Sequence, residues 1–111
     1  MLAVNAGIEK RQLWLDPGFG FAKEPGHNLE VLRQLSRIVA LGYPVLLGTS
    51  RKSTLGLVSG SPVGDRLDAT AASLVWGIQQ GASMVRVHDV GAMARTVRVA
   101  DALRAGLNWK P

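Results

Sequence analysis

Cysteine is absent from this 111-residue chain and histidine occurs only twice. Disulfides and thiolate metal sites are therefore excluded, and a multi-ligand transition-metal centre has too few donors. Aromatic residues make up only 5% of the chain, and the basic residues are scattered rather than striped. That distribution argues against a nucleic-acid surface, which needs aligned cations and interleaved rings. No run approaches the ~20 apolar residues of a membrane span. The stretch from Met1 to Gly7 has neither the basic start nor the apolar core of an export signal. The expected location is the cytoplasm, with neither nucleic acid nor membrane as partner. Repeats, low-complexity tracts and flexible linkers are also lacking, so residues 1–111 are expected to form a single domain.

What is present is a surplus of positive charge, 13 Lys and Arg against 8 Asp and Glu, for a formal charge of +5. Such a surplus favours anionic partners, and Arg51, Lys52, Arg66 and Arg86 lie close to the ends of strand-like runs. A small anionic ligand fits that clustering. Three such runs end in polar residues: Leu13-Trp14-Leu15 at Asp16, Val45-Leu46-Leu47 at Gly48-Thr49-Ser50-Arg51-Lys52-Ser53, and Met84-Val85-Arg86-Val87-His88 at Asp89. Parallel α/β sheets gather their chemistry at the carboxyl ends of strands, so the three clusters define one candidate site.

The segments between the runs read as helices. Asn28 is placed to cap a helix carrying Leu29, Leu32, Leu35, Ile38, Val39 and Leu41 at three- and four-residue spacing, stopped by Gly42. Ser61-Pro62 reads as a cap and first turn of a second helix through Leu67, Ala71, Leu74, Val75 and Ile78, ending near Gly81. A last helix carries Met93, Val97, Ala100 and Leu103 and stops near Gly106. Strand, helix, strand, helix, strand, helix at a spacing of about 30 to 40 residues predicts consecutive βα units with parallel strands. The chain is too short to close an eight-stranded barrel, which takes roughly 250 residues.

Each polar cluster has a chemical and a structural reading. Asp16, in Asp16-Pro17-Gly18, suits the N–H donors of a guanidine-like heterocycle or, equally, a turn. Phe19 and Phe21 put rings on a glycine-rich loop, to flank a flat substrate or to pack on a helix. Ser50-Arg51-Lys52-Ser53 suits a carboxylate or phosphate, or a solvated loop; its glycine spacing excludes a P-loop. Arg86 and His88 are two apart in a strand and share a face, while Val85 and Val87 take the other. An Arg on a buried strand asks for an anion or carboxylate, whereas an edge strand with one polar face does not. His27, beside Gly26, reads as solvated.

Three segments together, Leu15-Asp16-Pro17-Gly18-Phe19-Gly20-Phe21-Ala22-Lys23, Pro44 to Ser53 and Val85-Arg86-Val87-His88-Asp89-Val90, resemble the C-terminal part of the dihydropteroate synthase family. The resemblance covers nearly the whole chain, with the motifs in the same order and spacing. It implies an α/β fold of three consecutive βα units from the C-terminal portion of a (β/α)8 TIM barrel. It also implies a sulfonamide-target transferase of folate biosynthesis that joins (7,8-dihydropterin-6-yl)methyl diphosphate to 4-aminobenzoate, giving dihydropteroate and diphosphate.

By that likeness Asp16, Lys52 and Arg86 contact the pterin, Arg86 and His88 hold the diphosphate, and Phe21, Arg51 and Ser53 border the aminobenzoate. Lys52, Arg86 and His88 are then the catalytic set, as cations and donors stabilising the leaving group. The family implies Mg²⁺ on the diphosphate, with ligands in an early strand that this chain lacks, and a homodimer formed through helices. The missing part of the barrel is expected to have been cut away or to come from another chain. A pterin-binding domain of a folate-dependent methyltransferase would share the barrel and Asp16 but lack the Ser50 to Ser53 motif and the Arg86 and His88 pair. A non-catalytic binding fragment would keep the residues without turnover.

Overall fold

A computed structural model describes residues 2–20, 24–62 and 64–111. Among the described residues, six helices and two short strands follow in chain order: α1 (Leu2–Asn5), α2 (Pro25–Arg33), α3 (Leu35–Val39), β1 (Leu46–Leu47), α4 (Ser53–Ser59), α5 (Leu67–Gln80), β2 (Met84–Val85) and α6 (Val90–Ala105). Short 3-10 turns occupy Lys10–Gln12 and Gly106–Asn108.

β1 and β2 pair in parallel, Leu46 beside Met84 and Leu47 beside Val85. On the other side of β1, Leu15 forms a single parallel bridge to Val45. The Leu15 N–H donates to the Pro44 carbonyl at 2.9 Å, and the Leu46 N–H donates to the Leu15 carbonyl at 2.8 Å. The first expected strand is thus one bridging residue, and the third, expected over Met84 to Val87, ends at Val85. Pairing persists only where a neighbouring backbone offers partners, and neither outer segment has an outer neighbour among the described residues.

The helix expected from Asn28 instead starts at Pro25, with Glu24 extended before it, because proline fixes φ for a first turn and has no N–H to leave unpaired. Asn28 lies inside α2 and is buried. The apolar stripe through Leu41 is split at Gln34, whose φ of −106° and ψ of 20° interrupt the helix between α2 and α3. Gly42, at φ +91°, turns the chain away as expected.

α5 begins five residues later than the Ser61-Pro62 signal suggests, at Leu67, with Arg66 in the cap position. Its buried positions Thr70, Ser73, Leu74, Gly77 and Ile78 fall on one helical face. Gly77 lets that face meet β1 at close range, since a Cβ there would lie 2.2 Å from Leu47 Cδ2. Gly81 ends α5 in the left-handed region at φ +110°.

The core gathers Phe19, Leu32, Leu35, Val45, Leu47, Leu55 and Ala82. Phe19 is only 2% exposed, so this ring of the loop packs inward rather than facing a ligand; Phe21 lies outside the described residues. Met84 and Trp14 are about half exposed, at 51% and 46%. The helices therefore cover one face of the strand layer more fully than the other. Among the described residues, no helix is long and apolar enough to cross a membrane.

Candidate functional site

The three polar strand ends meet at one rim of the sheet. A cleft of about 400 Å³ is lined there by Gly48, Ser50, Lys52, Arg86, Val87 and His88. Asp16 joins from the neighbouring segment, its Oδ2 lying 3.6 Å from Arg86 Nη2. The turn reading of Asp16 holds, because its Oδ1 accepts the Gly18 N–H at 2.8 Å. One carboxylate oxygen shapes the turn and the other meets the guanidinium.

Two glycines make room for the long cations. A Cβ on Gly48 would lie 2.6 Å from Arg86 Nη2, so the guanidinium rests directly on the backbone of the β1 loop. A Cβ on Gly20 would lie 2.9 Å from Lys52 Cδ, so the lysine stem crosses the loop that follows Asp16. Met84, Arg86 and His88 are exposed in alternation with the less exposed Val85 and Val87, the shared face that the spacing predicts.

The β1 loop is held in shape from α5. Thr49 is fully buried and shares a 2.6 Å hydrogen bond with Ser73. The Arg51 N–H donates to Thr70 Oγ1 at 3.1 Å, and Arg66 Nη1 donates to the Arg51 carbonyl at 3.0 Å. These bonds hold Arg51 at φ +57°, the one positive φ outside glycine among the described residues. They also set the direction in which Lys52 leaves the loop.

Arg51 itself turns toward the β2 loop. Its Nε and Nη2 donate to the two carboxylate oxygens of Asp89 at 3.1 and 2.6 Å, a two-point pair that ties the loops together. Hydrogen bonding to Arg51 lowers the Asp89 pKa below the ordinary aspartate value, and the same contact raises that of Arg51. Ser53 is the exposed first residue of α4, directly after Lys52.

Asn28 was not singled out as a site residue in the sequence, and Ser50 only as one hydroxyl of the Ser50 to Ser53 cluster. Asn28, 3% exposed, accepts the Gly20 N–H at 3.1 Å and donates to Thr54 Oγ1 at 2.9 Å. It links the loop carrying Asp16 to the helix that follows Lys52. Its short polar side chain signalled a cap, and nothing local distinguishes a cap from a buried bridge. Ser50, 5% exposed, contacts His88 through both its main chain and its ring. Among the described residues, no group of three or more His, Cys, Asp or Glu gathers to hold a metal ion.

A parallel layer with a cationic rim, a carboxylate beside it and donors from adjacent loops suits a small anion or a heterocycle. Residues 1–88 match the pterin-binding enzyme family, and the chain belongs to it. Its relatives are dihydropteroate synthases. That of Bacillus subtilis is 46% identical over 102 residues, which is 92% of this chain and 36% of the relative. The Xanthomonas albilineans enzyme in complex with 7,8-dihydropteroate superposes with a TM-score of 0.89 at 41% identity, covering 94% of this chain and 40% of that one. The same enzyme with 4-aminobenzoic acid gives 0.88 at 41% identity over the same shares. The chain thus spans less than half the length of these relatives.

Proposed function

We propose that this chain supplies part of the active site of a dihydropteroate synthase, contributing three consecutive βα units, one structural unit over residues 1–111, to a (β/α)8 barrel. The observation that carries the proposal is the meeting of Asp16, Lys52, Arg86 and His88 at one rim of the strand layer. The half-exposed Met84 and Trp14 on the strand layer support closure by further barrel strands.

In this reading Asp16 accepts N–H donors from the pterin ring while Lys52 and Arg86 contact the same ring. Arg86 and His88 hold the diphosphate. The exocyclic C–O bond to diphosphate breaks, the carbon left behind takes the lone pair of the 4-aminobenzoate nitrogen, and that nitrogen loses its proton. The products are dihydropteroate and diphosphate. Cationic donors fixed where negative charge grows lower the barrier to departure, and a held ring keeps the carbon in line for attack. Phe21, Arg51 and Ser53 border the aminobenzoate; Arg51 does so with the N–H groups that Asp89 leaves open. In this reading Mg²⁺ takes no ligand from this chain.

Self-association through helices belongs to the same reading, supported by the exposed Val99 and Leu103 of α6 and by Leu107 and Trp109 beyond it. A cytoplasmic location belongs to the same reading. Calorimetric titration of the chain with (7,8-dihydropterin-6-yl)methyl diphosphate, alongside Lys52→Ala, tests the site. Saturable binding that weakens in the folded variant is expected. Equal binding by both proteins would remove Lys52 from the pterin site. The mass in solution tests association, where a species of 11.8 kDa at all concentrations contradicts it.

A further inference from the structure

The main-chain N–H of His88 and its ring nitrogen Nδ1 both reach one atom, Ser50 Oγ, at 3.0 and 2.9 Å. A main-chain N–H can only donate, so one lone pair of the hydroxyl is taken by it. The hydroxyl has a single proton to give and a second lone pair to offer. Ser50 is 5% exposed, and these two contacts are its side-chain hydrogen bonds among the described residues. If Nδ1 carried a proton and donated it, the serine proton would have no acceptor among the described residues, an arrangement that folded proteins avoid for buried groups. The proton therefore points to Nδ1.

We propose that Ser50 is a positioning residue that fixes the tautomer of His88: its hydroxyl accepts the His88 main-chain N–H and donates to Nδ1, so the neutral ring carries its proton on Nε2. The ring nitrogen left for an occupant of the cleft is then a donor. Resting on the reading of the cleft as a diphosphate site, this matters because a lone pair on Nε2 would repel an anionic oxygen, whereas Nε2–H joins Arg86 and Lys52 in an all-donor set. Ser50 is itself held by its neighbours, through Thr49 on Ser73 and the Arg51 N–H on Thr70. Main chain and ring of His88 are thus fixed from one buried point.

The test uses the whole chain labelled with ¹⁵N and long-range proton–nitrogen correlation of the imidazoles at a pH where they are neutral, with the solvent-exposed His27 as internal reference. The expected result is one tautomer for His88, unprotonated at Nδ1 and protonated at Nε2. A proton on Nδ1, or a mixture like that of His27, overturns the proposal without recourse to any variant. Ser50→Ala is expected to move His88 toward the mixture and Ser50→Thr, which keeps a hydroxyl, to restore it. An unaltered tautomer in Ser50→Ala overturns the role of the hydroxyl. Titration with inorganic diphosphate should show roughly threefold to tenfold weaker binding by Ser50→Ala, the size of one misaligned hydrogen bond. A tautomer change with unchanged affinity overturns the positioning role. No binding of diphosphate by the wild-type chain instead defeats the diphosphate reading, while the tautomer still decides the proton's place.

Discussion

Gly48→Ala places a methyl group where Arg86 now rests. The new Cβ would lie 2.6 Å from Nη2 and 3.1 Å from both Cζ and Nε, roughly 1 Å inside ordinary contact for the first of these. Gly48 is not among the glycines with positive φ, so the backbone accepts alanine and the clash falls on the guanidinium. Charge-assisted hydrogen bonds of about 2.7–2.9 Å do not survive a displacement of that size. Their loss sets the ceiling, about 1.5–3 kcal/mol, or roughly tenfold to 150-fold in affinity. A flexible side chain recovers part of this, so the expected loss in affinity for inorganic diphosphate is about tenfold. Stability should barely change, because the Arg86 pair with Asp16 is largely exposed and such pairs contribute about 0–1 kcal/mol. Calorimetric titration and a thermal melt read the two effects separately. A folded Gly48→Ala protein that binds diphosphate as tightly as wild type would refute the assignment of Arg86 to the anion.

Gly77→Ala makes the opposite split: its Cβ would meet Leu47 Cδ2 at 2.2 Å inside the core, and overpacking of about 1–3 kcal/mol should appear in urea unfolding. Asn28→Ala leaves the Gly20 N–H and the buried Thr54 without their present partner, and should cost about 1–3 kcal/mol in the same assay; a loss below a few tenths would show that water replaces the amide at no cost. Asp89 has its pKa lowered in the folded protein, so its contribution is complete above the ordinary aspartate value and fades as pH falls through the lowered one. Acid titration of stability should therefore be shallower in Asp89→Asn, with the difference confined to the acid range; an equal slope would contradict the Arg51 pairing.

How much of this was legible in the sequence depended on whether the deciding force was local. Gly81 stops its helix as expected and Gly42 turns the chain shortly after α3 has ended, because positive φ is a property of one residue. The shared face of Arg86 and His88 follows from the strand period alone. Asn28 and Ser61-Pro62 misled, since both carry good cap chemistry. The first is bound instead by Gly20 and Thr54, and the second helix starts where Arg66 reaches back to the Arg51 carbonyl. Leu13-Trp14-Leu15 has strand composition but only one neighbour, so only Leu15 pairs. Arg51 read as a loop cation open to ligand, yet Asp89, distant in sequence, takes two of its donors. Ser50 was visible merely as a hydroxyl in a polar motif, and its tie to His88 exists only once β1 and β2 lie side by side.

The central claim is that side chains from three separate segments serve a single anionic ligand. Residue-resolved NMR of the chain during titration with inorganic diphosphate tests it most directly. Shifts that saturate together at Asp16, Gly48, Ser50, Lys52, Arg86 and His88 are predicted. Shifts spread over the scattered surface cations, or concentrated beside α2 and α3 around His27 and Arg37, would contradict it.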